Sequence, residues 1–179
     1  MQKFSLNGIW NFVLDYNNNG IEQNYHKQEN QPYLDDKIKV NIPHCWNTEP
    51  QDKLEDYSGA VWYFRTFRIP LHFIGNKIYL HFERIAQSAI IYIDGIEVGK
   101  ISGAFIPFEF DITEEIKGNF EEHFLAVRID ASEESRRYPL EPNIKEYYGI
   151  FGDVFVRLEE EIALISHFMD TKLHFNSNN

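Results

Sequence analysis

The chain has 179 residues, with 28 acidic side chains against 17 basic ones and a formal net charge of −11. Nucleic-acid phosphates and anionic membrane surfaces both call for concentrated Lys and Arg, so this balance argues against either partner. The single cysteine, Cys45, rules out an intramolecular disulfide, and no Cys/His spacing of the structural-zinc type occurs. No apolar run approaches the length of a membrane span. The opening residues, MQKFSLNGIW, lack the apolar centre of a secretory signal. The compartment therefore stays open: cytoplasmic, or periplasmic or secreted if a leader was removed. The length suits one domain able to bury a full core.

Alternation of period two dominates from the start. Trp10, Phe12 and Leu14 fall on one face of a first strand. Asn17 to Lys39 is polar and reads as a long loop, opened by the Asn19-Gly20 turn signal. Ile42 to Tyr57 (IPHCWNTEPQDKLEDY) has two prolines and no alternation, as expected of an irregular segment. Gly59 then precedes an aromatic strand carrying Trp62 and Tyr63. Past the Gly75-Asn76 turn, Ile78, Leu80 and Phe82 alternate with polar residues. Ser88 to Asp94 (SAIIYID) is apolar on both faces, which predicts a strand covered on both sides. Asp94-Gly95 between apolar runs predicts a two-residue hairpin with both residues at positive φ.

Pro107, Phe108, Phe110 and Asp111 read as an edge strand leading into a single helical turn, for which Thr113 is the expected cap. After Gly118-Asn119 come two further alternating strands, on Leu125, Val127 and Ile129 and on Val154, Val156 and Leu158, each expected to bury one face. Between them, Ser132 to Tyr148 is irregular and contains Pro139 and Pro142. Many short strands with almost no helix indicate an all-β sandwich or barrel. His44 beside Cys45 is not read as a nucleophile pair, because neighbours in a strand point to opposite faces.

The ordered set of motifs narrows this further. LNGIWNFVLD, VNIPHCWN, DYSGAVWYFRTFRIP, IYLHFERIAQSAIIYIDGIEVGKISGAFIPFEFDIT, LAVRID and YYGIFGDVFVRL resemble, in that order, the N-terminal region of glycoside hydrolase family 2 enzymes. That family includes β-galactosidases, β-glucuronidases and β-mannosidases. The resemblance runs from about Leu6 to about Leu158 and implies a galactose-binding-like jelly-roll β-sandwich, the sugar-binding domain of those enzymes, over residues 1–160. Residues 161–179 would then be a linker and the start of an immunoglobulin-like domain. On this reading the chain is a fragment of a longer hydrolase, and Ile162, Leu164, Phe168, Leu173 and Phe175 begin a strand of the next domain.

In the family the two catalytic carboxylates lie on a separate (β/α)₈ barrel, and the acid/base glutamate follows an asparagine. This sequence contains no Asn-Glu dipeptide, and a barrel of roughly 250 residues does not fit beside the jelly roll. No catalytic residue is therefore assigned to the chain, and none of its residues calls for a cofactor. Glu159, Glu160 and Glu161 are read as the solvated end of a strand.

Asp153, in Gly152-Asp153-Val154, matches the family aspartate of an R-D-V turn that reaches the active site near the substrate sugar and a cation. Gly152 stands where the arginine is usual. The resemblance thus implies a cation near Asp153 in the full-length enzyme only. Asp56, three residues before Gly59, occupies a position that contacts the terminal sugar in some members. A carboxylate suits both places because it accepts hydrogen bonds from two sugar hydroxyls. The alternatives are a turn-capping aspartate for Asp153 and a turn initiator for Asp56. Trp46, Tyr147 and Tyr148 lie in irregular segments, where a ring either stacks on sugar or packs against the loops or the absent barrel.

The expected function is a non-catalytic domain of a family 2 exo-glycosidase, β-galactosidase-like. Its partners would be a β-glycoside and the immunoglobulin-like and barrel domains of the same protein. A free-standing carbohydrate-binding module and a purely structural interaction domain are the alternatives.

Overall fold

The computed structural model describes residues 2–34, 37–48, 54–73, 75–86, 88–102, 106–117, 122–132 and 147–159. Thirteen strands are found there: β1 (Gln2–Ser5), β2 (Gly8–Asp15), β3 (Ile38–Ile42), β4 (His44–Cys45), β5 (Ala60–Phe67), β6 (Lys77–Phe82), β7 (Ile85–Ala86), β8 (Ser88–Ile93), β9 (Ile96–Ser102), β10 (Phe108–Asp111), β11 (His123–Asp130), β12 (Gly149–Ile150) and β13 (Val154–Glu159). One helical turn, α1 (Thr113–Ile116), joins β10 to the segment before β11. All strand pairings are antiparallel.

The strands form a four-stranded sheet in the order β1-β13-β6-β10 and a six-stranded sheet in the order β3-β2-β5-β11-β8-β9. A small third sheet, β4-β12-β7, accompanies them. Period-two alternation turns one face of each large sheet inward. Ile78, Leu80 and Phe82 of β6 and Val154, Val156 and Leu158 of β13 meet Trp10, Phe12, Val61, Tyr63, Leu125, Val127 and Ile129 in one buried cluster. The fold is a β-sandwich, as the alternation and the motif order led us to expect.

The six-stranded sheet departs from the half-buried expectation. β11 is buried on both faces, because Phe124, Ala126 and Arg128 are covered as well as Leu125, Val127 and Ile129. The cover is the polar stretch after β2, which crosses the outer face as a strap with a 3₁₀ segment at Gln28–Tyr33. Leu34 and Tyr25 of this strap pack with Val13, Trp62, Phe64, Tyr92, Phe124 and Ala126 in a second core. The same cover explains why β8 is apolar on both faces, as predicted. Asp15, only 3% exposed, anchors the strap. Its carboxylate accepts the Asn19 and Gly20 N–H groups at 3.0 and 2.9 Å and the Trp62 indole N–H at 3.1 Å. A buried carboxylate with three donors avoids the cost of an unsatisfied charge.

Asp94 and Gly95 take φ of 50° and 83°, the hairpin conformation their sequence predicts. The helical turn differs from expectation. Thr113 is inside it, Ile112 stands at its N-cap without a side-chain cap, and Asp111 accepts the Thr113 N–H at 3.1 Å and hydroxyl at 2.6 Å. The Thr113 oxygen instead accepts the Ile78 N–H at 2.9 Å, tying α1 to β6. The Gly118-Asn119 turn, Pro139, Pro142 and all residues from 160 onward, including the expected start of a second domain, lie outside the described residues.

Candidate functional site

Asp153 sits on the turn into β13 and is exposed. Two neighbours define its position. The Asn7 amide donates to Asp153 Oδ1 at 2.8 Å, while Asn7 Oδ1 accepts the Val154 N–H at 2.9 Å. On the other side, the Asp153 N–H donates to Glu83 Oε2 at 3.3 Å and the Asp153 carbonyl accepts the Glu83 N–H at 2.9 Å. Arg84 Nη2 lies 3.9 Å from Glu83 Oε2. The turn therefore presents two carboxylates, one amide and one guanidinium at the surface, with the Asp153 side chain held by a single hydrogen bond among the described residues.

Gly152 owes its place to packing. A Cβ there would lie 2.6 Å from the Glu83 Cβ and 2.7 Å from the Arg84 nitrogen. A larger residue would push the Asp153 turn away from the end of β6. Gly149 plays a similar part upstream: its φ is +141°, and a Cβ would meet the His44 carbonyl oxygen at 2.2 Å. That close approach lets β12 lie between β4 and β7, with Gly149 opposite Cys45 and Ala86.

Trp46 and Tyr148 are buried, at 0% and 5% exposure, and stack on each other with centroids 5.5 Å apart. The Trp46 indole N–H donates to the Tyr57 carbonyl at 3.1 Å, and the Trp46 backbone N–H donates to the Tyr148 carbonyl at 3.2 Å. The structure gives both rings a packing role, and neither offers a face to a ligand. Tyr147, next in the chain, is 48% exposed.

Asp56 is exposed and makes no hydrogen bond or ion pair among the described residues. Its neighbour Tyr57 is held firmly: the hydroxyl donates to the Ala60 carbonyl at 2.8 Å. Burial, with Asp15 nearby, pushes the Tyr57 phenol up to about 12. Asp153 and Asp56 belong to opposite ends of β2. Asn7, just before the strand, holds Asp153, and Tyr16, just after it, touches the Tyr57 ring.

His44 and Cys45 have separate surroundings. His44 Nδ1 shares a 2.8 Å hydrogen bond with the Tyr63 hydroxyl in the core, and the Cys45 thiol donates to Asn47 Oδ1 at 3.2 Å. The residues that alternation could not single out are Asn7 and Glu83, which hold the Asp153 turn. The Asn in LNGIW was part of the motif string, but only the return of β13 beside β1 shows what it touches.

Residues 4–158 match the family model described as glycosyl hydrolases family 2, sugar binding domain. The chain belongs to that family, as its sugar-binding domain. It is 38% identical over 134 residues to a β-galactosidase of Thermoanaerobacter pseudethanolicus, covering 73% of this chain and 18% of that protein. It is also 38% identical over 109 residues to a β-glucuronidase of Paenibacillus borealis, covering 60% and 18%. Among solved structures, a β-glucuronidase from an uncultured Clostridium sp. superposes with a TM-score of 0.71 at 28% identity, over 89% of this chain and 29% of that one. The chain thus spans less than a fifth of the length of these curated relatives.

Proposed function

We propose that this chain acts as the non-catalytic sugar-binding domain of a longer family 2 exo-glycosidase, presenting Asp153 to the terminal sugar of a β-glycoside. The carrying observation is the Asp153 turn: an exposed carboxylate, positioned by Asn7 and Glu83, with lone pairs left for sugar hydroxyls. The hydrolytic carboxylates and the immunoglobulin-like and (β/α)₈ barrel domains would be supplied by the remainder of the protein. Tyr147, exposed, is the further candidate for the rim, with Tyr148 buried beside it, while Asp56 is exposed towards the other end of β2.

A neutral, galactoside-like sugar suits the turn better than a uronate, because Asp153 and Glu83 place two carboxylates against the single guanidinium of Arg84. A cation beside Asp153 would find at most these two carboxylates here. Hard cations take six or more oxygens, so most of its ligands would have to come from the barrel or the sugar.

Two assays test this. The 179-residue chain alone should hydrolyse neither nitrophenyl β-galactoside nor nitrophenyl β-glucuronide. The complete reading frame should hydrolyse the galactoside, and Asp153→Ala in it should raise KM. Hydrolysis by the chain alone, or an Asp153→Ala enzyme with unaltered kinetics, would sink the proposal.

A further inference from the structure

Tyr16, at the end of β2, is 72% exposed, more than any other aromatic described. It is exposed but not loose. Its ring meets Tyr57 edge-on, with centroids 5.7 Å apart and planes at 82°. Tyr57 is in turn fixed at its hydroxyl by Ala60 and at its carbonyl by the Trp46 indole. The backbone after Tyr16 is pinned as well: the Asn18 N–H donates to the Asp15 carbonyl at 3.0 Å, and Asn18 takes φ of 52°. A rigid ring with an open face is what a stacking platform requires, since little side-chain entropy is lost on binding.

Polar groups of the right kinds lie near this ring and near Tyr57 in the sequence. Arg128, 7% exposed, donates from Nη2 to Asn18 Oδ1 and, at 3.0 Å, to Asp130 Oδ2. That contact fixes the Asn18 side chain by its oxygen and leaves its amide donors unengaged among the described residues. Asp56, adjacent to Tyr57 in sequence, has its carboxylate unengaged among the described residues. Sugar recognition uses a ring face together with one donor and one acceptor for neighbouring hydroxyls. Burial raises the Tyr57 phenol most, and the carboxylates of Asp15 and Asp130 raise it further against the single guanidinium of Arg128, so carboxylates outnumber cations around Tyr57. A neutral pyranose fits that balance, and a uronate does not.

We propose that Tyr16, with Asn18 and Asp56, forms a second carbohydrate subsite for a neutral pyranose, at the end of β2 away from Asp153. This deepens the functional reading above and rests on it only in taking the domain to meet carbohydrate. The test uses the 179-residue chain, with lactose and cellobiose as probes, in saturation-transfer NMR and calorimetric titrations. Saturable millimolar binding is expected. Tyr16→Ala should weaken it about tenfold, the size of one aromatic contact, while Tyr16→Trp retains it. Glucuronic acid should bind more weakly than lactose. Each variant is checked for an unaltered thermal midpoint, which the exposure of Tyr16 predicts. No saturable binding of either disaccharide, equal affinity in Tyr16→Ala, or tighter binding of glucuronic acid would overturn the subsite. An Asp153→Ala effect on the longer enzyme would still stand in that event, so the two readings fail separately.

Discussion

Asn7 bridges the two sides of the turn that carries Asp153: its amide donates to the Asp153 carboxylate and its carbonyl oxygen accepts the Val154 N–H. Residues 146 apart in sequence are thereby locked at one rim of the sandwich. Replacing Asn7 by Ala leaves the Val154 N–H without its acceptor and should cost about 1–2 kcal/mol in urea unfolding. The slope of the transition should not change, because the surface exposed on unfolding is the same. A double-mutant cycle with Asp153→Ala should show coupling between the two positions. Strict additivity would mean that the hydrogen bond contributes nothing.

Trp46 and Tyr148 make the second relationship that the rim depends on. Trp46→Ala removes a fully buried ring and an indole hydrogen bond, and should destabilise the domain by about 3–5 kcal/mol. Trp46→Phe keeps most of the volume and should cost less than half as much. Thermal and denaturant melts of the two variants check the order. An alanine variant as stable as the parent would place Trp46 outside the core.

Acid stability should depend on Asp94. Burial pushes its carboxyl up, but the hydrogen bonds from His123 Nδ1 at 2.7 Å and the Phe124 N–H at 2.7 Å prevail and hold it below its ordinary value of 3.8. The folded value is depressed, so the stabilisation is present above 3.8 and is lost as pH falls through the folded value. Asp94→Asn keeps a residue that tolerates positive φ but has no carboxyl to titrate. Its stability should fall less steeply below pH 4 than the parent's. Glu109, Asp111 and Asp130 are depressed in the same direction, so some acid dependence should remain. Identical acid profiles for parent and variant would contradict the assignment.

At the alkaline end, Tyr57 is the group to follow. Its phenol titrates near 12 in the folded protein against 10 when unfolded. A raised value means stabilisation that is whole below pH 10 and lost as pH rises towards 12. Ultraviolet titration of tyrosinate absorbance should show one component near pH 12, absent in Tyr57→Phe. If the amplitude lost in Tyr57→Phe came from the part that titrates near 10, Tyr57 would not be buried as described.

Much of this fold could be read from alternation. The strap could not. Tyr25 and Leu34 are scattered in a polar stretch, and only the folded sheet shows that they cover Phe64, Phe124 and Ala126. Trp46 shows the same limit at the rim. In an irregular segment its ring looked available for sugar, but its burial is decided by Tyr148, far along the chain. The turn at Asp153 could be placed before β13 because its motif is short and local, whereas the residues that hold it, Asn7 and Glu83, come from two other parts of the chain. Thr113 does not cap the turn because it lies inside it, its hydroxyl donating to Asp111 and its oxygen accepting the Ile78 N–H.

The central claim is that Asp153 meets the terminal sugar while this domain supplies none of the hydrolytic chemistry. The most direct measurement is steady-state kinetics of Asp153→Ala in the complete enzyme on nitrophenyl β-galactoside, alongside the thermal midpoint of the isolated domain. Loss of a charge-assisted hydrogen bond to substrate should lower kcat/KM by about tenfold or more, with KM raised and the midpoint nearly unmoved. Unchanged kcat/KM in a folded Asp153→Ala enzyme would contradict it.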